Sequence, residues 1–361
     1  MPAPPDPVST APAEPAPSRR LRRWRVGFGA AAVAALAAIG VSYGGEEAAA
    51  PETATASPVE VEPWTLPEEG YDPGAAGFVL QAGPWPVPYR VFALFVEPGQ
   101  TVPLRPQLGT GRAEWQARAE GGALAPDGDA AWTWTAPQEP GLYPVTVADA
   151  ESGEAIVLHV FVQVPFDHQT DALDGYAIGA YSEEPLNGNP RFERPEWFVQ
   201  VTPELEDVYV SPHFTLGQFV AKQASGYPKY LVLQERLLLK LERLLQEVNE
   251  AGIEARTFAV LSGYRTPAYN LAIGNTTTSS RHLYGDGADI YIDDDGDGRM
   301  DDVTGDGAVT VADAERLAQI VEAAQDEPWY APFVGGLGIY APAPHRGPFI
   351  HVDTRGEPAR W

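Results

Sequence analysis

The sequence predicts a multidomain protein with a membrane-anchoring helix, an all-β sandwich and a C-terminal α+β domain. The 361-residue length suits about two to three domains. An arginine cluster precedes the uncharged residues 26–44, as expected of an anchor. Short β-branched and aromatic runs separated by Gly and Pro fill residues 76–165. Residues 211–361 mix helical and strand periodicity, which indicates an α+β domain.

Composition excludes several classes of function. The formal net charge of −26 argues against nucleic acid, and against an anionic membrane surface held by electrostatics. The chain has no cysteine, so disulfides, iron–sulfur clusters and thiolate zinc sites are excluded. Any metal site must therefore use histidine and oxygen ligands.

The N-terminus predicts export. Residues 1–25 are rich in Pro, Ala and Arg, and we expect a disordered basic tail that stays in the cytoplasm. Residues 26–44 nearly span a bilayer core and are predicted to form a transmembrane signal anchor. A cleaved signal peptide is the alternative, because the segment is Ala-rich and only weakly hydrophobic. Both interpretations place the rest of the chain outside the cytoplasm.

The middle of the chain is predicted to form a linker, a β-sandwich and a connector. Residues 45–75 form a Pro/Ala/Glu-rich linker without apolar periodicity. The strands predicted within 76–165 are 88–96, 131–137, 141–150 and 154–164. Their spacing resembles immunoglobulin-like sandwiches by pattern alone. Residues 166–210, punctuated by Pro, Gly and Asn, are predicted to be a connector.

The C-terminal domain, 211–361, alternates predicted helices and strands. Leucines at helical spacing predict a helix over 230–252, and Gly252 is a natural stop. A second helix is predicted over 311–327. The predicted strands are 255–265, 288–292, 335–340 and 349–354.

Two histidines and an aspartate suggest a zinc site. His282 and Asp289 flank a glycine-containing loop that allows their side chains to converge, and His351 lies on a predicted strand. Two imidazoles and one carboxylate form a catalytic type of zinc site, with a fourth position left for water. By spacing alone, two ordinary polar histidines are the alternative.

Four motifs carry a family resemblance: LSGYRTPAYN (261–270), SSRHLYGDGADI (279–290), GGLGIY (335–340) and FIHVDTRG (349–356). In this order they resemble the D-alanyl-D-alanine metallopeptidases, which include zinc D,D-carboxypeptidases and murein endopeptidases. Hedgehog signalling domains share the fold. The likeness covers about 211–361 and is closest to the branch with a short H-x-D motif. It implies one catalytic zinc bound by His282, Asp289 and His351.

The resemblance also implies substrate contacts. Arg265 matches the arginine of the family's Ser-Gly-Tyr-Arg motif, which holds a substrate carboxylate or polarises the carbonyl. A surface salt bridge is the alternative role for this side chain. Tyr264, in the same motif, is a further candidate for substrate binding.

The general base departs from the family pattern. Several relatives place a glutamate three residues before the last zinc-binding histidine, but this chain has Pro348 there. Asp353 is the first candidate base, because it shares the strand face of His351. Its alternative role is to orient His351. His345, on the preceding loop, is the second candidate.

Residues 293–313 form an acidic insertion that resembles EF-hand and dockerin calcium loops. The first frame offers Asp293, Asp295, Asp297 and Asp301. Its last ligand position holds Thr304, which cannot supply a bidentate carboxylate. The second frame offers Asp302, Thr304, Asp306, the Ala308 carbonyl, Thr310 and Asp313. Because the frames overlap at 302–304, we expect one calcium, or two that share ligands; an uncomplexed acidic loop is the alternative.

The resulting hypothesis is an exported zinc peptidase of the bacterial cytoplasmic membrane, single-pass or secreted if the signal is cleaved. Its predicted partners are the stem peptides of peptidoglycan, cleaved next to D-amino acids in the periplasm or outside the cell. Endopeptidase activity is slightly favoured over carboxypeptidase activity by the H-x-D branch. Two rivals are a non-catalytic module that keeps the zinc fold and a calcium-dependent adhesin.

Overall fold

A computed structural model describes residues 59–110 and 112–361. The predicted basic tail, the anchor at 26–44 and the first part of the linker lie outside the described residues. Within the described ranges, no helix has both the length and the apolar character needed to cross a bilayer.

The first part of the described chain is built from two β-sheets. Their strands are Ala75–Ala82 (β1), Trp85–Tyr89 (β2), Val91–Val96 (β3), Thr101–Gln107 (β4), Trp115–Ala119 (β5), Ala123–Pro126 (β6), Trp132–Thr135 (β7), Gly141–Asp149 (β8) and Ala155–Val162 (β9). One sheet has the order β2-β1-β4-β7-β6 and the other β3-β9-β8-β5. The pairing is antiparallel except between β3 and β9.

Both sheets contribute to one buried core. Leu80, Leu104 and Trp134 from the first sheet and Phe92 and Leu158 from the second are almost completely buried in the same cluster. Strand β4 alternates buried and accessible positions, which is the period of a strand with one face on a core. The runs predicted at 131–137, 141–150 and 154–164 coincide with β7, β8 and β9.

The chain between the sandwich and the first long helix contains short strands. They are Val164–Pro165 (β10), Ala172–Leu173 (β11), Tyr176–Ala177 (β12), Trp197–Val201 (β13), Tyr209–Ser211 (β14), Phe214–Thr215 (β15) and Lys229–Leu231 (β16). Strand β13 is central in a three-stranded sheet with β10 and β16. Residues predicted as a connector therefore supply a strand that joins both neighbouring parts of the chain.

The C-terminal part forms a five-stranded sheet of order β17-β18-β20-β19-β21. Its strands are Ala259–Ser262 (β17), Gly287–Tyr291 (β18), Gly336–Tyr340 (β19), Phe349–Asp353 (β20) and Ala359–Arg360 (β21). The α-helices are Glu235–Glu250 (α1), Pro267–Ala272 (α2) and Val311–Ala324 (α3), and 3-10 turns lie at Arg281–Tyr284 and Pro328–Phe333. Only β19 and β21 pair in parallel among the strands of this sheet.

Helix α1 is shorter than the leucine pattern predicted. It begins at Glu235, because Lys229–Leu231 is held as a strand against β13. It ends at Glu250, and Gly252 follows with a positive φ of 82°. Its leucines are buried, and Lys240 is buried with them.

Strand alternation separates an apolar face of the C-terminal sheet from a polar one. Ile350 and Val352 of β20 belong to the hydrophobic core, and α3 packs against β19 and β20. His351 and Asp353 alternate with them and therefore project from the opposite face. The helices thus cover one face and leave the other to a row of polar side chains.

Candidate metal centre and its surroundings

One register row across the C-terminal sheet contains two of the predicted zinc ligands. Ser262 of β17 pairs with Asp289 of β18, Asp289 pairs with His351 of β20, and His351 pairs with Gly338 of β19. Directly paired residues of neighbouring strands project their side chains from the same face. The pairing of β18 with β20 therefore brings Asp289 beside His351, although many residues separate them in the sequence.

His282 reaches this row from the 3-10 turn that precedes β18. Gly285 ends that turn with a φ of 68°, and a Cβ there would lie 2.3 Å from the Val232 carbonyl oxygen. A Cβ on Gly287 would lie 3.1 Å from Cε1 of His351. Glycine is required at both positions, one for its backbone conformation and one for close approach to the site. The predicted tight loop is present.

The three predicted ligands converge in a buried site. Nε2 of His282 lies 3.2 Å from Oδ1 of Asp289, and Nδ1 of His351 lies 2.9 Å from the same oxygen. Each of the three residues is only 4% exposed. Zinc with bonds of about 2.0–2.1 Å in a tetrahedron separates its ligands by about 3.3 Å. The spacing of these donor atoms is close to that value.

The other ring nitrogens of both histidines are committed to acceptors. Nδ1 of His282 donates to the Gly263 carbonyl at 2.7 Å, and Nε2 of His351 donates to Oδ2 of Asp353 at 3.0 Å. In the neutral rings these bonds leave the lone pairs of His282 Nε2 and His351 Nδ1 facing Asp289. This is the arrangement in which protein side chains orient histidine ligands of metals.

The Asp289 carboxylate is ionised and can therefore serve as a ligand for a cation. Burial lowers the pKa of His282, and the Arg265 charge adds to this effect. Burial alone would raise the pKa of Asp289, but His282 and Arg265 beside it hold that pKa well below its usual range. Burial alone would lower the pKa of His351, but its hydrogen bonds to Asp289 and Asp353 raise that pKa. Asp289 is thus an ionised carboxylate between two imidazoles. The residues present fit a divalent metal ion with histidine and carboxylate ligands.

Arg265 is fixed at the edge of the row. Its Nη2 donates to Oδ2 of Asp289 at 2.6 Å, and its Nε donates to the Ser262 hydroxyl at 2.7 Å. The first bond occupies one carboxylate oxygen of Asp289 and leaves Oδ1 for a metal. The Arg265 side chain is 14% exposed, so this is a buried tether and not a surface salt bridge.

Asp353 is positioned to orient His351 and is poorly suited to be the general base. It is fully buried, and its carboxylate accepts from His351, the Gly336 backbone N–H and the Arg355 side chain. Burial would raise its pKa, but the bonds from His351 and Arg355 hold that pKa far below its ordinary range. A carboxylate this weakly basic does not take up a proton near neutral pH. The geometry therefore favours the alternative role for Asp353, orientation of His351.

The structure does not bring the other two predicted catalytic or substrate residues to the metal donors. Tyr264 is 1% exposed, and its hydroxyl pairs with that of Tyr181 at 2.9 Å, so it belongs to the core. His345 is exposed in a turn closed by the Ala343–Arg346 bridge. No hydrogen bond or ion pair within the described residues joins His345 to the predicted zinc ligands.

The first acidic frame forms a cluster. One carboxylate oxygen from each of Asp293, Asp295 and Asp297 lies within 4.8 Å of the others. Oδ1 of Asp293 is buried and has no hydrogen-bond partner among the described residues. Burial and, more weakly, the charge of Asp297 raise the pKa of Asp293. Asp301 closes the loop by accepting the Asp294 backbone N–H at 2.8 Å.

In the second frame, the carboxylates accept hydrogen bonds from backbone N–H groups of the loop. Asp313 is fully buried and accepts the Thr304 and Thr310 backbone N–H groups, which caps α3. Asp302 accepts backbone N–H groups of the two glycines that follow it, and Asp306 accepts the Ala308 N–H. Within the described residues, the acidic groups of this frame do not form a three-carboxylate cluster like that of the first.

Several residues of the site carried no assigned role in the sequence analysis. The Gly263 carbonyl and the Arg355 side chain lie inside the recognised motifs, but nothing in their spacing showed their partners. Lys240 interrupts the buried leucines of α1 and donates to the Asp353 carbonyl at 2.7 Å. The sequence did contain a signal for this residue: a lysine on the apolar face of a helix is expected to be buried with specific hydrogen-bond partners.

Comparisons with known proteins do not assign a family. No protein-family model matches the chain, and no curated protein matches it. Among solved structures, the chain is similar to a nucleoside hydrolase-related hypothetical protein from Saccharophagus degradans that is associated with carbohydrate metabolism. The alignment covers 24% of this chain and 25% of that chain, at 15% identity and a TM-score of 0.18. A likeness at this level carries no argument about fold or function.

Proposed function

We propose that this chain is an exported zinc-dependent peptidase that hydrolyses peptidoglycan peptides next to D-amino acids. One observation carries the proposal: three buried metal donors, His282, Asp289 and His351, converge beside the tethered guanidinium of Arg265. The sequence resemblance to D-alanyl-D-alanine metallopeptidases supports the same reading for the same four residues. Anchoring by residues 26–44 stays a prediction.

Each residue of the centre has a separable task. His282 Nε2, Asp289 Oδ1 and His351 Nδ1 would hold the zinc ion. Zinc bound there would supply Lewis acidity toward a carbonyl oxygen and toward water. Asp353 holds the His351 ring in the tautomer that presents Nδ1 to the site. Arg265 keeps Asp289 from turning and offers its remaining N–H groups to a substrate carbonyl or carboxylate.

The test is hydrolysis of purified sacculi by the purified full chain, with zinc and with chelator, followed by chromatography and mass analysis. We expect new muropeptides that require zinc and are absent with His351→Ala. Arg105→Ala, at an exposed ion pair in the sandwich, is the matched control and should retain activity. If no metal condition releases muropeptides, the peptidase proposal is wrong.

The products also separate the remaining alternatives. Conversion of cross-linked dimers to monomers indicates an endopeptidase, whereas release of terminal D-alanine from uncross-linked stems indicates a carboxypeptidase. Sacculus binding without cleavage would favour the non-catalytic module. Binding that survives His282→Ala but is lost when Asp293 and Asp297 are replaced by Asn would favour the calcium-dependent adhesin.

We further propose that the acidic insertion binds calcium through its first frame. The clustered carboxylates of Asp293, Asp295 and Asp297 and the unpaired Oδ1 of Asp293 support this assignment. Oxygen-only ligands of this kind suit calcium. The insertion directly follows β18, the strand of Asp289, so an ion there would stiffen the chain next to the zinc ligands.

A further inference from the structure

The row of paired residues that contains Asp289 and His351 continues onto β19, where two of the positions on the same face are glycines. Gly338 pairs with His351, and a Cβ on Gly338 would lie 2.5 Å from Nε1 of Trp361. A Cβ on Gly336, two residues earlier on the same face, would lie 2.9 Å from Cη2 of Trp361. The two glycines therefore make room for the Trp361 indole on the face of the sheet that carries the metal donors.

The indole is held firmly in this place. The Trp361 backbone bonds to Leu337 and Ile339 of β19, and its Nε1 donates to the Tyr340 hydroxyl at 2.7 Å. The Arg355 guanidinium lies 5.1 Å from the indole centroid. The centroids of the His351 and Trp361 rings are 5.3 Å apart. Trp361 is thus a direct neighbour of a candidate zinc ligand.

A purely structural cover for His351 would be expected to bury the indole. Trp361 is instead 47% exposed, although its N–H is satisfied and its backbone is paired. An aromatic residue kept at a fixed position beside the metal donors, and about half exposed as a whole, is suited to contact a ligand that enters the site.

We propose that Trp361 forms the wall of the substrate position on the His351 side of the site and selects an uncharged apolar side chain there. The inference rests on the proposed peptidase function. The exposed ring offers no free hydrogen-bonding group, so a charged side chain placed against it would lose hydration without compensation. The Arg355 cation beside the ring also disfavours a second cation at the same face. A methyl group, as in alanine, has no charge to dehydrate and is not repelled by Arg355.

The kinetic test compares two synthetic stem peptides that differ beside the scissile bond, one with alanine and one with lysine. We expect Trp361→Ala to raise KM for the alanine peptide about tenfold and to weaken the preference for alanine. Trp361→Phe should retain most of that preference. Trp115→Phe, which changes an indole packed on Phe78 in the sandwich, is the matched control. Unchanged KM and preference in Trp361→Ala would overturn the inference.

A second readout does not depend on hydrolysis. The alanine peptide is titrated into the zinc-loaded full chain while tryptophan fluorescence is recorded before appreciable hydrolysis. We expect a peptide-dependent change in the wild type and in Trp115→Phe, and none in Trp361→Phe. A change that persists in Trp361→Phe, or no change in the wild type, rejects the Trp361 subsite. Failure of hydrolysis with a normal titration rejects the peptidase function alone.

Discussion

Asp289 and His351 face each other across β18 and β20, with Oδ1 of the first 2.9 Å from Nδ1 of the second. Their opposite sides are held as well: Arg265 binds Oδ2 of Asp289, and Asp353 binds Nε2 of His351. The hydrogen bond with Arg265 therefore orients Asp289, and the hydrogen bond with Asp353 orients His351. We call Arg265 and Asp353 the outer partners of these two residues. Removing an outer partner should affect metal binding or substrate handling without removing a ligand.

Asp353→Asn tests the outer partner of His351. We expect zinc affinity to fall about 10- to 100-fold, because the asparagine cannot hold the imidazole as the carboxylate does. Competition with a chelator measures this affinity. Asp306→Asn, in the exposed part of the acidic insertion, should leave zinc affinity unchanged. An unaffected affinity in Asp353→Asn would refute the orienting role.

Arg265→Lys tests the tethered guanidinium. Lysine cannot donate in a fork to Ser262 and Asp289 while also facing substrate. We expect hydrolysis of sacculi to slow by about a hundredfold or more. Zinc affinity, measured in parallel, should change by less, because all three ligands remain. Equal losses in both measurements would show that Arg265 serves the metal site only.

Lys240→Met tests a buried tether beneath the site. The Lys240 ammonium is fully buried and donates to the Tyr330 hydroxyl and to the Phe333 and Asp353 carbonyls. Methionine removes all three of these hydrogen bonds, so the free energy of unfolding should fall by about 2–4 kcal/mol. Urea denaturation measures the loss. The exposed control Arg105→Met should change stability by less than about 1 kcal/mol.

Glu235 makes stability depend on pH. Burial is the main effect and raises the pKa of Glu235 from 4.5 to about 7, although its carboxylate accepts the Phe95 N–H. The folded chain therefore binds this proton more tightly than the unfolded chain. Its contribution to stability is present below about pH 4.5 and is lost as pH rises to about 7. Relative to Glu235→Gln, the wild type should lose on the order of 2 kcal/mol of unfolding free energy between pH 5 and pH 8. Urea denaturation of both proteins at the two pH values measures this difference.

Calcium should raise the melting temperature of metal-stripped protein, because an ion that binds only the folded state stabilises it. Replacing Asp293 and Asp297 by Asn should remove most of this shift, since both contribute to the clustered carboxylates. The same double replacement should leave zinc affinity within a few-fold. If Asp306→Asn abolishes the calcium shift and the double variant does not, the ion occupies the second frame.

Local pattern predicted much of the secondary structure of the C-terminal part. The predicted strands at 288–292, 335–340 and 349–354 and the helix at 311–327 lie within a few residues of β18, β19, β20 and α3. The start of α1 was wrong by several residues, because pairing of β16 with β13 overrides the helical pattern there. The strand β13 was missed, since Pro and Gly around it suggested a loop.

The sequence by itself determined which residue types could bind a metal, because histidine and aspartate in glycine-containing motifs are visible without a fold. Only the tertiary structure decided their relations. Register between distant strands brought Asp289 to His351, and burial of Asp353 with Arg355 favours its role in orienting His351 over that of a general base. Tyr264 lies in the core, where its hydroxyl pairs with that of Tyr181, and Trp361 lies beside His351 because its backbone pairs with β19. The Tyr264 pair joins residues far apart in the chain, and the β19 pairing depends on sheet register, so local spacing encodes neither contact.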